Sequence, residues 1–262
     1  MPGCDRRYPS GVTVATLILY FTLAYCALGI GLIAARYDLY RKEPWHMILL
    51  AVVFGAAAMW AAGRMQVGMI VAINGSGHLV ENWMMALMAG GTEELGKLTA
   101  VLAIAIITRR HFDEPLDGLI YGSFAGLGAA LEESFHILSH LPAGSTLPAQ
   151  EPVRLAGHLI LGGICGYGLG LVVMKSPRTL LAVAASYLAA ATLHTFWDVA
   201  AFDAADFHRA NSRLLFWHHG VPVALMLAGM VAYRVLARRA AGHTREWLQV
   251  CDVAPYAASR PR

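Results

Sequence analysis

Eight ionisable side chains lie deep within apolar stretches of the sequence. They are Glu93, Glu94, Lys97, Glu132, Glu133, His158, His194 and Asp198. A charged side chain at the centre of a bilayer costs at least about 2.5–3.5 kcal/mol, so residues of this kind usually serve a function. Carboxylates and imidazoles are also the groups that carry acid–base chemistry and bind zinc. The residue types and their positions therefore predict a chemical site inside a membrane.

The spacing of these residues places several of them on common helix faces. Glu93 and Lys97 are four residues apart, so they can form an ion pair, and His194 and Asp198 share the same spacing; residues at this spacing are neighbours on a helix. A lysine beside Glu93 and Glu94 would keep one carboxylate ionised, while repulsion between like charges would favour protonation of the other. Such a pair can activate water by general acid–base catalysis. A zinc ion held by glutamate and neutral histidine is the other way to activate water.

The composition explains why membrane helices must position these groups. Hydrophobic residues make up 57% of the 262-residue chain and charged residues only 14%. The stretch from Val12 to Ala35 contains no Lys, Arg, Asp or Glu, and apolar runs of about 18 residues or more indicate membrane spans. A net charge of +3 is too small to attract nucleic acid. The composition thus excludes a nucleic-acid binder, a disordered chain and a water-soluble enzyme.

The predicted fold is an all-α, polytopic helix bundle with about seven transmembrane helices in a single integral membrane domain, residues 1–262. The expected spans are 12–35, 45–62, 80–108, 117–138, 155–174, 179–201 and 214–236. The segment Arg64–Gly77 either prolongs the second span or lies at the membrane interface. The site-bearing core covers about 36–202, and a basic tail covers about 237–262. Glycines at 126, 128, 162, 163, 166, 168 and 170 are expected to allow close helix packing.

The distribution of lysine and arginine predicts the orientation in the membrane. Connectors on the side of the N-terminus carry six of these residues and connectors on the opposite side carry eleven. Positive residues stay cytoplasmic, so we expect a plasma-membrane protein with its N-terminus outside and its C-terminus in the cytoplasm.

Four of the ionisable residues are predicted to share one depth in the bilayer. Counted from the cytoplasmic end of its span, Glu94 lies 15 residues in, Glu133 lies 16, His158 lies 17 and His194 lies 16. A rise of about 1.5 Å per residue puts all four at roughly 23–26 Å from that edge. Alternate spans run in opposite directions and still agree, which indicates one site toward the outer leaflet.

Several motifs follow one another along the chain: Glu93-Glu94-x-x-Lys97, Asp117–Gly122, Gly126-Leu127-Gly128, Glu133, and the histidines His158 and His194-x-x-x-Asp198. In this order they resemble the EExxK, DGxxYG and GLG motifs, the Glu of the FxxxEN motif and the two later histidine motifs of the PrsW family of intramembrane proteases. That family is related to CAAX prenyl proteases and bacteriocin-processing proteases. The resemblance covers about residues 36–200. In the FxxxEN motif, Ala129 replaces the phenylalanine and Ser134 replaces the asparagine.

This resemblance implies hydrolysis of a peptide bond in a membrane protein or membrane-associated peptide, such as an anti-sigma factor, near the outer side of the bilayer. Under this hypothesis Glu93 or Glu94 activates water, and Asp198 orients His194. Zinc is the expected cofactor, and its candidate ligands are Glu133, His158 and His194. Lys97 and Glu132 play supporting roles. The alternative is a metal-free mechanism, in which a glutamate activates water while His194 and Asp198 stabilise the oxyanion.

Other functions remain open at the level of sequence. A catalytically inactive membrane scaffold on the same fold is favoured by the two replacements in the FxxxEN motif. A proton- or ion-coupled transporter would also use buried Glu, Asp and His, although such folds usually contain internal repeats and none is visible in the sequence. A ceramidase-like lipid hydrolase would require a ligand set richer in histidine.

Overall fold

The computed structural model describes residues 21, 25, 28–33, 36–37, 42–140, 151–174, 178–207 and 215–250. Every regular element within these ranges is helical, which confirms the all-α prediction. The long helices are α1 (Trp45–Gly75), α2 (Asn82–Ile107), α3 (Pro115–His140), α4 (Glu151–Gly170), α5 (Thr179–Phe207) and α6 (Leu215–Val250). Short 3-10 helices cover Arg109–His111 and Leu171–Met174.

Four of the described helical segments are long and apolar enough to cross a bilayer. They are Trp45–Gly75, Glu151–Met174, Thr179–Phe202 and Gly220–Val250. Helices α2 and α3 have 26 residues each, a length of about 39 Å, and they carry the charged residues of the candidate site. The chain is thus a helical membrane protein, and the number of seven spans stays a prediction. Most of the first predicted span, 12–35, lies outside the described residues.

Two predicted boundaries differ from those of the structure. Helix α1 continues past Arg64 to Gly75, so the segment in doubt prolongs the second span. Arg64 lies beside a polar cleft, which explains how a charge within the helix is tolerated. The chain turns after α1 at Gly77, where φ is 85° and a residue without a Cβ atom is favoured. Helix α6 runs on to Val250, so the first half of the predicted basic tail is helical.

Helix α4 is the central element of the bundle. Of its 18-residue apolar stretch, 78% of the residues are buried inside the protein, whereas 11–33% are buried in the corresponding stretches of the other three apolar segments. It packs against α3, α5, α6 and α2. Since a central helix contacts most of its neighbours at once, residues on α4 can take part in contacts with groups from several elements.

A row of glycines brings α3 and α4 into backbone contact. A Cβ atom on any of these glycines would overlap the backbone of the facing helix; they are Gly118, Gly122 and Gly126 on α3 and Gly162, Gly166 and Gly170 on α4. Small residues at four-residue spacing are typical of tightly packed membrane helices. The expectation of close packing at these α4 glycines and at Gly126 is confirmed. Gly126 faces the carbonyl group of His158, so this contact also positions a candidate site residue.

The opposite end of α3 is anchored by the Asp117–Gly122 motif. Oδ2 of Asp117 accepts hydrogen bonds from the backbone N–H groups of Asp113 and Glu114, at 2.7 and 2.8 Å. The hydroxyl group of Tyr121 donates to Glu43, which lies just before α1. These contacts fix the start of α3 against the start of α1, and the helix then carries Glu133 to the site.

Candidate active site

Six of the eight predicted site residues meet in a cleft between five helices. The cleft has a volume of about 580 Å³ and is lined by residues of α1 to α5. Its polar lining consists of Arg64, Gln66, Glu93, Glu132, Glu133, His136, His140, Arg154, His158, His194 and Asp198. Helices α1, α3 and α5 contribute polar residues from their C-terminal halves, whereas α2 and α4 contribute polar residues from their N-terminal halves. Since successive helices of an up-and-down bundle run in opposite directions, all these groups lie near one end of the bundle.

Glu94 lies where α2 contacts α5, and one of its oxygen atoms accepts two hydrogen bonds. Nζ of Lys97 lies 2.6 Å from Oε1 of Glu94, and Nδ1 of His194 lies 2.8 Å from the same atom. The three residues are at most 4% exposed. A buried carboxylate of this kind requires such partners, because an unpaired charge in an apolar interior is strongly destabilising. Glu94 therefore contacts His194 on the side of the ring that faces away from the cleft, and Lys97 holds Glu94 in place. Neither Glu94 nor Lys97 lines the cleft.

The pairing of Lys97 corrects one prediction. The four-residue spacing favoured an ion pair with Glu93, but the ammonium group contacts Glu94, three residues before it. Both spacings bring residues together on a helix. What separates the two glutamates is the contact of α2 with α5, which buries Glu94 beside Lys97 and leaves Glu93 facing the cleft. The spacing alone contains no information about that contact.

A glycine allows α2 and α5 to approach each other at this point. A Cβ atom at Gly90 would lie 2.8 Å from the carbonyl oxygen of Ala191 and would overlap the side chain of Thr195. Contacts under 3.0 Å force neighbouring atoms to move, so a larger residue at this position would push α5 away. Gly90 therefore sets the short distance between Glu94 and His194.

Glu93 faces the cleft from α2. Its Oε1 accepts a long hydrogen bond of 3.4 Å from the amide of Gln66, which also donates to Thr92 at 2.8 Å. Its Oε2 lies 3.6 Å from Nε2 of His194 and has no hydrogen-bond partner within the described residues. Gln66 was not among the predicted site residues. The available signal was an isolated amide side chain in the apolar run Met65–Ile73.

Across the cleft, Glu133 of α3 contacts two residues of α4. Its Oε2 forms an ion pair with Arg154 and lies 3.3 Å from Nε2 of His158. Glu132 lines the same cleft. Both adjacent glutamates thus face the cleft, and Glu133 is the one in contact with a candidate histidine.

Arg154 is held in place by a network that includes Ser134, the residue found where the family motif has asparagine. The guanidinium group donates to Oγ of Ser134 at 2.6 Å and to Oε1 of Glu151 at 2.7 Å. The hydroxyl group of Ser134 in turn donates to Glu151. Ser134 therefore helps to orient the arginine that pairs with Glu133. The serine thus supplies polar contacts at the position where the family motif has asparagine.

The two sides of the cleft meet at His158 and His194. Their ring centroids are 5.2 Å apart and their planes are nearly perpendicular, at 79°. One ligand atom from each of Glu93, His158 and His194 lies within 4.8 Å of the others. This group differs from the predicted ligand set, since Glu93 takes the place of Glu133. Glu133 remains adjacent and is paired with Arg154, which also pairs with Glu151.

The chemistry of this group fits a metal cation. With Nδ1–H of His194 donating to Glu94, the neutral imidazole presents the lone pair of Nε2 to the cleft. Oε2 of Glu93 and Oδ2 of Asp198 each lie 3.6 Å from that nitrogen, so three electron-rich atoms face one another. A cation at this position, like a proton or a hydrogen-bonding water, would relieve the repulsion between these atoms. Ligand atoms of tetrahedral zinc lie about 3.4 Å apart, so the side chains would close in by about an ångström.

Fold and site together define a helical membrane protein with a buried carboxylate–histidine centre. Residues 43–233 match the sequence pattern described as PrsW family intramembrane metalloprotease. The chain therefore belongs to this family. It is also 29% identical over 147 residues to Protease PrsW of Bacillus subtilis (strain 168). That match covers 55% of the chain and 65% of the Bacillus protein, so the chain spans just under two thirds of this relative. No solved structure matches the chain.

Proposed function

We propose that the protein is a metal-dependent intramembrane protease that hydrolyses a peptide bond of a membrane-associated or single-span protein. The observation that carries this proposal is the convergence of Glu93, His158 and His194 in a cleft within the membrane-spanning bundle. Membership of the PrsW family favours a peptidase over the transporter and the lipid hydrolase. An anti-sigma factor is the substrate class that we propose.

Glu93, His158 and His194 are the residues that would hold the metal ion, with zinc as the expected metal. When bound, a zinc ion polarises water or the carbonyl group under attack. Glu94 and Lys97 would hold His194 so that Nε2 faces the ion. Glu133 and Asp198 border the same space and would supply carboxylate oxygens close to the substrate.

A metal-free mechanism uses the same cleft with different roles. Oε2 of Glu93, which has no hydrogen-bond partner among the described residues, would accept the proton of the attacking water. His194 would donate a hydrogen bond to the oxyanion, with Asp198 stabilising the charged ring. In both mechanisms Glu93 is essential, whereas Glu94 acts by positioning His194.

The proposed location is the plasma membrane, with the N-terminus outside. In this orientation the later residues of α1, α3 and α5 lie toward the outer face, and so does the cleft that they line. A substrate would then be cut near the outer side of the membrane, as the positions of Glu94, Glu133, His158 and His194 in the sequence also predict.

Elemental analysis of the purified protein tests the role of metal. We expect about one zinc ion per chain in the wild type and its loss in Glu93→Gln, His158→Ala and His194→Ala. His243→Ala is the matched control, because this side chain is 46% exposed and lies near the end of α6. Retention of zinc in Glu133→Gln would support the ligand group with Glu93, whereas its loss would support the set predicted from sequence.

Cleavage assays separate the protease from the scaffold. The Glu93→Gln variant should still bind a single-span substrate and should no longer cut it. A wild-type protein that cuts its substrate without bound metal would establish the glutamate mechanism. A wild-type protein that binds membrane proteins and cuts none of them, with or without zinc, would leave the scaffold as the function.

A further inference from the structure

A second concave surface lies outside the cleft of the candidate active site, between helix α6 and the residues described at positions 25, 28–33 and 36–37. This groove has a volume of about 580 Å³ and is lined by Tyr25, Gly29, Leu32, Ile33, Arg36, Tyr37, Met230, Val231 and Arg234. Its volume falls in the range of about 300–1,000 Å³ that is typical of ligand sites. None of these residues takes part in the proposed peptidase chemistry.

The two sides of the groove run side by side in the same direction. Gly29 lies against the methyl group of Met230. Eight residues later on both segments, Nε of Arg238 donates to the hydroxyl group of Tyr37 at 3.1 Å. Two contacts at equal spacing mean that the segments are parallel and in register over about 12 Å. Both lead toward the side that is predicted to face the cytoplasm.

The groove is apolar along most of its length. Ile33 and Met230 are buried at its base, whereas Leu32 and Val231 are 61% and 66% exposed at its sides. Exposed aliphatic side chains on a membrane helix face lipid acyl chains. A hydrocarbon chain lying in the groove would therefore contact apolar atoms at the base and on both sides.

One end of the groove is strongly basic. Arg36 follows Ile33 by one helical turn, and Arg234 follows Met230 by one turn, so both side chains lie at the same end. The hydrogen bond from Arg238 lowers the pKa of the Tyr37 phenol, and the positive charges of Arg238, Arg36 and Arg234 lower it further. The guanidinium groups of Arg36, Arg234 and Arg238 thus all act electrostatically on the Tyr37 hydroxyl group. Arginine binds phosphate through paired hydrogen bonds, and an anion there would offset their mutual repulsion.

We propose that this groove is a binding site for one anionic phospholipid of the cytoplasmic leaflet. The phosphate group lies between Arg36 and Arg234, and an acyl chain follows the apolar groove between Leu32 and Val231. A free anion would use the arginines only, and a zwitterionic lipid would gain much less from them. A ligand that contacts both the basic end and the apolar part of the groove carries a negative charge and a hydrocarbon chain, as an anionic lipid does. The site is independent of the proposed peptidase activity.

Native mass spectrometry of the full chain tests this proposal without a protein substrate. The protein is titrated with phosphatidylglycerol, and separately with phosphatidylcholine of the same chain length. We expect the wild type to retain one phosphatidylglycerol at concentrations at which phosphatidylcholine is not retained. The double variant Arg36→Gln/Arg234→Gln should bind phosphatidylglycerol about thirtyfold more weakly, because both guanidinium groups that attract the lipid phosphate are removed.

Two further variants separate a defined site from general attraction to anionic lipid. Arg245→Gln removes one charge from the same exposed side of α6, away from the groove, and should change binding less than twofold. Val231→Trp leaves every charge in place and fills the groove, so it should weaken binding. The proposal is overturned if Arg245→Gln weakens binding as much as the double variant, or if phosphatidylcholine is retained equally. Displacement of the lipid by millimolar inorganic phosphate alone would also overturn it.

Discussion

At the scale of single residues, the orientation of His194 decides what this imidazole can do. Its Nδ1 lies 2.8 Å from Glu94, and Glu94 is itself paired with Lys97. Asp198, which the sequence favoured as the orienting residue, lies 3.6 Å from Nε2, on the cleft side of the ring. A histidine ligand usually donates its other N–H to a carboxylate or a carbonyl, which fixes the ring and its tautomer. In this protein Glu94 is the carboxylate that His194 contacts through Nδ1.

Zinc affinity should therefore depend more on Glu94 than on Asp198. Replacing both Glu94 by Gln and Lys97 by Met removes the buried charges together, and we expect zinc affinity to fall about 10–100-fold. Asp198→Asn should change affinity by less than about threefold. Competition with a chromogenic chelator measures both values. The reverse order of effects would mean that Asp198, and not Glu94, orients the histidine.

The same buried pair gives a prediction about stability. Lys97 is 1% exposed and Glu94 is 0% exposed, so the single change Lys97→Met leaves a buried carboxylate without its cation. Loss of one partner of a buried pair costs about 3–5 kcal/mol. We expect the apparent melting temperature in detergent to fall by on the order of 10 °C. Glu94→Gln in the same chain should recover most of the loss, and a stable Lys97→Met single variant would contradict this account.

The sequence predicted the depth of the site residues better than their partners. Counting residues along each span requires only the helical rise, and Glu94, Glu133, His158 and His194 do lie together in the bundle. Which partner each side chain selects depends on how the helices are rotated against each other. For this reason the predicted partner of Lys97 was wrong. Gln66 was not predicted, and it lies on α1, a helix that contributes no residue to the predicted set.

At the scale of helices, backbone contacts between α3 and α4 position His158. Gly126 lies against the carbonyl group of His158, and Gly122 lies against that of Gly162 one turn further along α4. Membrane helices gain little from apolar burial against lipid, so close packing of this kind is a main source of their association. The glycine pattern was visible in the sequence. The facing pairs were not, because they depend on the register between the two helices.

Gly126→Ala should therefore lower stability and disturb the site. An added methyl group would meet the backbone of α4, and overpacking of this kind costs about 1–3 kcal/mol. We expect a lower melting temperature and weaker zinc binding, since His158 would move with its carbonyl group. Gly68→Ala is the matched control, because a Cβ atom at Gly68 has no other atom within 4 Å. Equal melting temperatures for the two variants would show that the α3–α4 contact tolerates separation.

At the scale of the whole molecule, the bundle places its two candidate binding regions at different depths. The catalytic cleft is lined by the later residues of α1, α3 and α5, whereas the basic groove lies beside the middle of α6, at Met230 to Arg234. If the positive residues face the cytoplasm, the cleft lies toward the outer leaflet and the groove toward the inner one. The direction of the chain through the membrane thus determines which side each region serves.

Cysteine labelling in intact cells tests this direction. Ser76, at the end of α1, should lie outside, and Arg178, just before α5, should lie in the cytoplasm. In a chain whose Cys4, Cys26 and Cys251 are replaced by Ser, the remaining Cys165 is fully buried and should not react. We expect a membrane-impermeant maleimide to label Ser76→Cys in intact cells and Arg178→Cys only after the cells are opened. The opposite pattern would reverse the bundle and place the catalytic cleft on the cytoplasmic side, where an extracytoplasmic substrate segment could not reach Glu93.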